Sequence, residues 1–178
     1  LLIAFFSCET NSSKSEDVAN DTIATNLAQL NKKILDDPNN PELYYQRAKY
    51  FFDKKDAKAA LDDMNRTLDL DSTKAKYYLT FSDIYFVTNK TSKTKTALER
   101  SVALDPQNID AMMKLAELFF NVKKYPESIE YINKVLKIDQ YNSKAYFMKG
   151  MNYKEAGDTA SAISSMETAV EQDQQYYS

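Results

Sequence analysis

The feature that most constrains this chain is a 34-residue period in its side chains. An aromatic residue or methionine recurs as Tyr44, Tyr78, Met112 and Tyr146, and seven residues on from each comes a second ring, Phe51, Tyr85, Phe119 and Tyr153. Four residues after the first ring the side chain is always small: Ala48, Ser82, Ala116, Gly150. Later in each unit a second small site recurs as Ala60, Thr94, Ser128 and Ala162, followed after four residues by Met64, Leu98, Ile132 and Met166. An aspartate closes every unit, at Asp71, Asp105, Asp139 and Asp173. A fixed period of this size marks stacked supersecondary units, each too small to bury its own apolar face. Such an array works by offering a surface.

Each unit divides into two helices. Tyr44, Ala48 and Phe51 fall at i, i+4 and i+7, one face of an α-helix. A two-residue break follows in each unit: Lys55-Asp56, Asn89-Lys90, Lys123-Lys124 and Gly157-Asp158. Ala60, Met64 and Thr67 then repeat the helical spacing, with Leu61 and Leu68 widening the stripe. So short a break forces the two helices to pack antiparallel. Pro38 and Pro106 fall in connections, Pro41 and Pro126 in first turns, where a helix accepts proline. Gly157 stands where a C-terminal cap is required.

Composition narrows the chemistry. The 178 residues carry a formal net charge of −3, without the basic face that meets nucleic-acid phosphates. There is no histidine, which removes Ser-His-Asp triads, histidine bases and most zinc sites. The single cysteine, Cys8, has no internal disulfide partner. No residue set nominates an active site, a metal, a cofactor or a small-molecule substrate, so the chain is expected not to be an enzyme.

The recurring small and large sites resemble the tetratricopeptide repeat. The resemblance covers residues 41–176 as four units, 41–74, 75–108, 109–142 and 143–176. It implies an all-α fold, a right-handed α-solenoid of stacked antiparallel helix pairs. Residues 21–40, with Ile23, Leu27, Leu30 and Ile34 in an apolar stripe, are expected to form an N-terminal capping helix. Residues 177–178 begin like a further unit, and the stripe Ile163, Met166, Ala169 and Val170 would lie open without one, so the sequence reads as a fragment. Three departures stand out. Arg47 and Lys149 replace the family's leucine between the rings. Ser72, Gln140 and Gln174 stand where Pro106 follows the family, and Thr91 to Thr96 makes one helix start unusually polar. For Arg47 and Lys149 the first expectation is an apolar stem with the charge reaching solvent, the second a paired carboxylate.

The N-terminus differs from everything after it. Residues 1–8 (LLIAFFSC) are apolar but far shorter than the roughly 20 residues that span a bilayer. They resemble the end of a lipoprotein signal peptide of the Bacteroidetes type, in which Cys8 becomes the lipidated first residue; an ordinary cleaved signal and a buried structural cysteine are the plainer readings. Residues 9–20 (ETNSSKSEDVAN) are too polar to bury a core and read as a flexible tether. The resemblance implies a protein of a bacterial cell envelope, lipid-anchored at the outer membrane, periplasmic or surface-exposed. Three short Asp-(Ser/Thr)-X sequences resemble O-glycosylation sites of such envelope proteins. The two at Asp71 and Asp158 coincide with helix starts, which leaves Thr22 as the candidate.

In this family the first helices of successive units line a concave groove. The resemblance puts Tyr45, Lys49 and Phe52 on it, then Leu79, Asp83 and Phe86, then Met113, Glu117 and Phe120, then Phe147, Met151 and Lys154. Two apolar tracks emerge, Tyr45-Leu79-Met113-Phe147 and Phe52-Phe86-Phe120, with charges between them. An apolar stripe rimmed by charge suits an extended peptide or an amphipathic helix; the plainer reading is packing against the neighbouring unit. The carboxylate clamp of some members is absent, since its sites hold Tyr45, Lys49, Thr80, Asp110 and Lys114. The expected function is a membrane-tethered interaction scaffold that binds a protein or peptide and no nucleic acid. Two rivals are the interaction domain of a larger enzyme and, if the leading residues are no signal, a cytosolic adaptor.

Overall fold

A computed structural model describes residues 27–176, with side chains described through residue 173. Among the described residues every element is a helix. α1 covers residues 27–36, α2 Pro41–Asp53, α3 Ala57–Leu70, α4 Ala75–Val87 and α5 Thr91–Leu104. α6 is Ile109–Asn121, α7 Tyr125–Ile138, α8 Ser143–Glu155 and α9 Thr159–Tyr176. The chain divides into two compact units, Leu1–Leu70 and Asp71–Ser178. From α2 onward each helix packs most extensively on its hairpin partner, α2 on α3, α4 on α5, α6 on α7 and α8 on α9. In the second unit α5 packs on α6, α7 on α8, and α6 also meets α8, so three pairs stack in sequence order.

The breaks inside the pairs are three residues long, one more than the sequence pattern suggests, because a C-cap residue precedes each expected pair. The middle residue turns left-handed at every break: Lys55 at φ 63°, Asn89 at 56°, Lys123 at 60° and Gly157 at 85°. This conformation lets the chain reverse while satisfying the last carbonyls of the helix. The Lys55 N–H donates to the Phe52 carbonyl and the Asp56 N–H to the Phe51 carbonyl, each at 2.9 Å. The same two bonds recur after α4, α6 and α8. This is the Schellman closure, which usually takes glycine at the turning residue; only the last break has one.

Connections between pairs are fixed by the closing aspartates. Asp71 accepts the Thr73 N–H and hydroxyl, Asp105 the Gln107 N–H, and Asp139 the Tyr141 N–H. At three of the four connections an asparagine caps the next helix: Asn40 accepts from the Glu42 N–H, Asn108 from Ala111 and Asn142 from Ala145, while α4 starts at Lys74 without a side-chain cap. Asp158 caps α9 by accepting the Ser161 N–H, and this bonding with Ser161, side chain first, holds its carboxyl below the ordinary carboxylate value.

Small residues let the helices of a pair approach. Ala48, Ala60, Ala116 and Ser128 are fully buried, and the Ser128 hydroxyl donates to the Ala116 carbonyl at 2.7 Å. At Gly150 the approach leaves no room for a side chain: a Cβ there would lie 2.6 Å from the Met166 Cγ and 3.0 Å from the Ala162 carbonyl oxygen. The central core of the second unit joins Met112, Met113, Ala116, Ile132, Val135 and Ala145. A second cluster joins Leu98, Ala111, Leu115, Leu118 and Phe119.

Arg47 departs from the first expectation and meets the second. Its Nε and Nη2 donate to the two carboxylate oxygens of Asp63, both at 2.7 Å, and its Nη1 donates to Asn31 in α1 at 2.8 Å. Asp63 is only 8% exposed in its side chain and Arg47 22%, so the guanidinium does not simply reach for water. A buried carboxylate needs this fork of donors to offset its lost hydration.

Candidate protein-interaction surface

The nine groove residues expected in the second unit fall into two groups, and the structure separates them by what covers each. Met113 is 6% exposed, packed among Ala116, Ile132, Val135 and the Ala145 of α8. Leu79 packs against the cluster that α6 contributes to through Ala111, Leu115 and Leu118. In both places the following first helix lies on the apolar side chain, so this track is a packing seam between pairs. Phe147, the next residue of the track, is 55% exposed and lines a 290 Å³ cavity with Val170, Ala169 and Lys144.

The other track stays more open. Phe86 on α4 is 49% exposed; Phe120 on α6 is partly buried, its ring 5.9 Å from that of Tyr125. Between them the Lys114 ammonium of α6 donates to the Asp83 carboxylate of α4 at 2.5 Å. Each partner is about one third exposed, at 34% for Asp83 and 32% for Lys114. An ion pair this wet contributes about 0–1 kcal/mol. Its effect is to fix where the two charges stand beside Phe86. Glu117 is exposed next to them, and together Asp83, Phe86, Lys114 and Glu117 rim a 150 Å³ crevice floored by Ser82 and Leu98. That volume is below the roughly 300–1,000 Å³ of small-molecule sites and suits one inserted side chain.

On α8, Met151 is partly buried and Lys154 exposed. In the first unit Tyr45 and Phe52 are partly buried, and the Lys49 ammonium lies 5.8 Å from the centre of the Tyr45 ring. Lys49 also borders a 390 Å³ cavity between α1 and α2, with Leu30, Lys33 and Tyr50. Cys8 and Thr22 lie outside the described residues. Among the described residues no helix is long and apolar enough to cross a membrane, and no cluster of His, Cys, Asp or Glu could hold a metal ion.

Lys114 is the groove residue that the sequence pattern did not nominate. The signal was available in its register: Lys114 follows Asp83 by 31 residues, one period less about one helical turn, which brings the two side chains together across neighbouring first helices.

Comparison with known proteins agrees with this architecture. The chain is 26% identical over 116 residues to the formate-dependent nitrite reductase complex subunit NrfG of Escherichia coli O157:H7, covering 64% of this chain and 59% of that protein. The chain spans 9% and 59% of the lengths of the curated relatives it matches. Among solved structures it is similar to MamA, with a TM-score of 0.82 and 22% identity over 96% of this chain and 99% of that one. It is also similar to YrrB, described as a tetratricopeptide-repeat protein with an unusual peptide-binding site, with a TM-score of 0.73 and 16% identity over 87% of this chain and 80% of that one. At such identities the likeness speaks for the fold, an all-α solenoid of helix pairs. Two family models, both of the tetratricopeptide repeat, match residues 81–143 and 143–176 and together span more than half of the chain. With its period, its paired helices and these matches, the chain belongs to the tetratricopeptide-repeat family.

Proposed function

We propose that the chain is a non-catalytic interaction scaffold that holds an extended peptide or protein segment along the first-helix face of residues 71–178. The observation that carries this reading is the crevice beside Phe86. A half-exposed ring stands next to an oriented Asp83–Lys114 pair and the free-facing Glu117 edge, over a depression sized for one side chain. Apolar anchors set among placed charges are how extended segments are gripped. The peptide-binding site named for YrrB supports the same use of this architecture. Tethering through a lipid on Cys8 completes the reading, with the chain working at a bacterial envelope membrane; three acyl chains at about 0.8 kcal/mol per buried methylene would hold it durably.

A second reading makes the chain the interaction subunit of an enzyme complex, in keeping with the name of the NrfG relative. The two share one test. The protein is crosslinked and captured from its own envelope beside its Phe86→Asp form, and a specific partner is expected to disappear from the variant. Phe86→Asp should leave the helical signal and melting unchanged, whereas Met113→Asp puts a charge in the core and should unfold the second unit. A partner list unaffected by Phe86→Asp would move binding off this crevice. Palmitate labelling should be lost in Cys8→Ala; an unlabelled parent chain would remove the lipid anchor, and label that persists in the variant would move it off Cys8.

A further inference from the structure

The same position of the four pairs carries Asp63, Ala97, Tyr131 and Ser165, of which Ala97 is the smallest side chain. In the third pair this slot holds Tyr131, whose ring stacks on Phe119 at 5.7 Å and an interplanar angle of 15° and packs against both core clusters of the unit. One period earlier the residue is Ala97. Without a ring at that position, Tyr78, Phe81 and Tyr85 of α4 and Ala97 of α5 surround an open cavity of 490 Å³. This cavity lies on a different face of α4 from Phe86, and its size is within the roughly 300–1,000 Å³ of ligand-binding sites.

Its chemistry is distinct as well as its shape. Phe81 and Ala97 are 8% and 5% exposed and form an apolar floor. Burial raises the phenol of Tyr85 above its ordinary value. Cations stand on the aromatic walls: Lys93 Nζ is 5.4 Å from the centre of the Tyr85 ring and the Arg100 guanidinium 5.8 Å from that of Tyr78. Both cations line the cavity, and no carboxylate is among its described lining residues. The polar helix start at Thr91 to Thr96, unusual by sequence, supplies the remaining rim through Ser92 and Thr96.

We propose that this cavity is a second docking site, separate from the crevice at Phe86, for an acidic peptide that inserts one aromatic side chain where Ala97 leaves room. The inserted ring packs on the floor of Phe81 and Ala97, beside the Phe81–Tyr85 pair whose ring centres are 4.4 Å apart. Flanking carboxylates on the peptide meet Lys93 and Arg100, which already face the opening. An aromatic anchor supplies the affinity and the two cations supply the charge preference.

The test uses the full chain and a five-residue peptide with a central phenylalanine flanked on each side by two acidic residues, its termini blocked. Amide shifts in a two-dimensional ¹H–¹⁵N titration should cluster at residues 78–85 and 92–100. Ala97→Tyr fills the slot with the side chain that the third pair already tolerates, so it should keep the helical signal while weakening binding about tenfold or more, as loss of an anchor pocket does. Lys93→Glu combined with Arg100→Glu changes only the rim, and should weaken binding by about tenfold even if the first variant folds poorly. A peptide with amides in place of its four carboxylates should bind as weakly. Phe86→Asp should leave this binding unchanged, which separates the site from the crevice on the other face. The proposal is overturned by unchanged affinity in Ala97→Tyr or in the rim variant, by equal binding of the neutral peptide, by shifts centred on Phe86, or by the absence of binding at millimolar peptide.

Discussion

The first and third pairs solve the same packing problem with opposite chemistry. Where the first helix and the second helix of a pair meet near one edge, the first pair sets Arg47 against Asp63, and the third sets Leu115 against Tyr131. The positions correspond through two periods of 34 residues. One contact is a two-pronged ion pair with Asn31 attached, the other an apolar stack on Phe119. The backbone of the repeat is therefore indifferent to which chemistry fills the slot. It demands only that the slot be filled or, as at Ala97, that the opening be tolerated.

Breaking the polar version should have the largest effect. Asp63→Ala leaves the Arg47 guanidinium without its carboxylate at a site where the lost partner was 8% exposed, and should cost about 3 kcal/mol in chemical denaturation. A loss under about 1 kcal/mol would class the pair with screened surface bridges. Breaking the apolar version comes next. Tyr131→Ala removes the stack on Phe119 and the ring under the Lys134 ammonium, 4.3 Å from its centre, but Tyr131 is only partly buried. About 2 kcal/mol is expected, below the cost of truncating a fully buried ring. The same variant should open in the third pair a cavity like that beside Ala97, which a crystal structure would reveal.

A smaller effect sharpens the comparison at the breaks, where all four units share one backbone conformation but only Gly157 suits it freely. Lys123→Gly should stabilise the second unit by about 1 kcal/mol, the cost a non-glycine residue bears in the left-handed region. Asn89→Gly should gain less, because asparagine tolerates that region better than lysine. Equal melting temperatures for parent and Lys123→Gly would mean that glycine's extra freedom in the unfolded chain cancels the relief.

Much of this was legible in the residues. Ring, small site and ring at helical spacing located each first helix, and the pairs Lys55-Asp56 through Gly157-Asp158 located each reversal, because helix periodicity and turning residues are local signals. What spacing could not tell was which apolar face another helix would cover. Met113 and Phe86 have equivalent credentials in sequence, yet Met113 lies under α8 and Phe86 is half open. The partner of Arg47 was equally hidden, since it depends on how two helices of one pair are set against each other, 16 residues apart along the chain. The cavity at Ala97 is legible between units and not within one, since Ala97 stands one period before Tyr131.

The smallest expected effect is the most informative, because it exchanges one solution for the other. Arg47→Leu with Asp63→Tyr gives the first pair the slot residues of the third. Phe51 stands two periods before Phe119 and offers the new ring the same stacking partner. Each single substitution strands one charge, Asp63 in Arg47→Leu and Arg47 in Asp63→Tyr, so both should be destabilising. The double variant strands neither, and replacing a buried ion pair with packed apolar residues is often neutral or better. It should denature within about 1 kcal/mol of the parent, so two single losses of about 3 kcal/mol each imply a coupling of about 5 kcal/mol between the two positions. A double variant as unstable as the sum of its parts would show that the slots only look alike. The hydrogen bond that Arg47 donates to the Asn31 side-chain oxygen would then be what the first pair is built around.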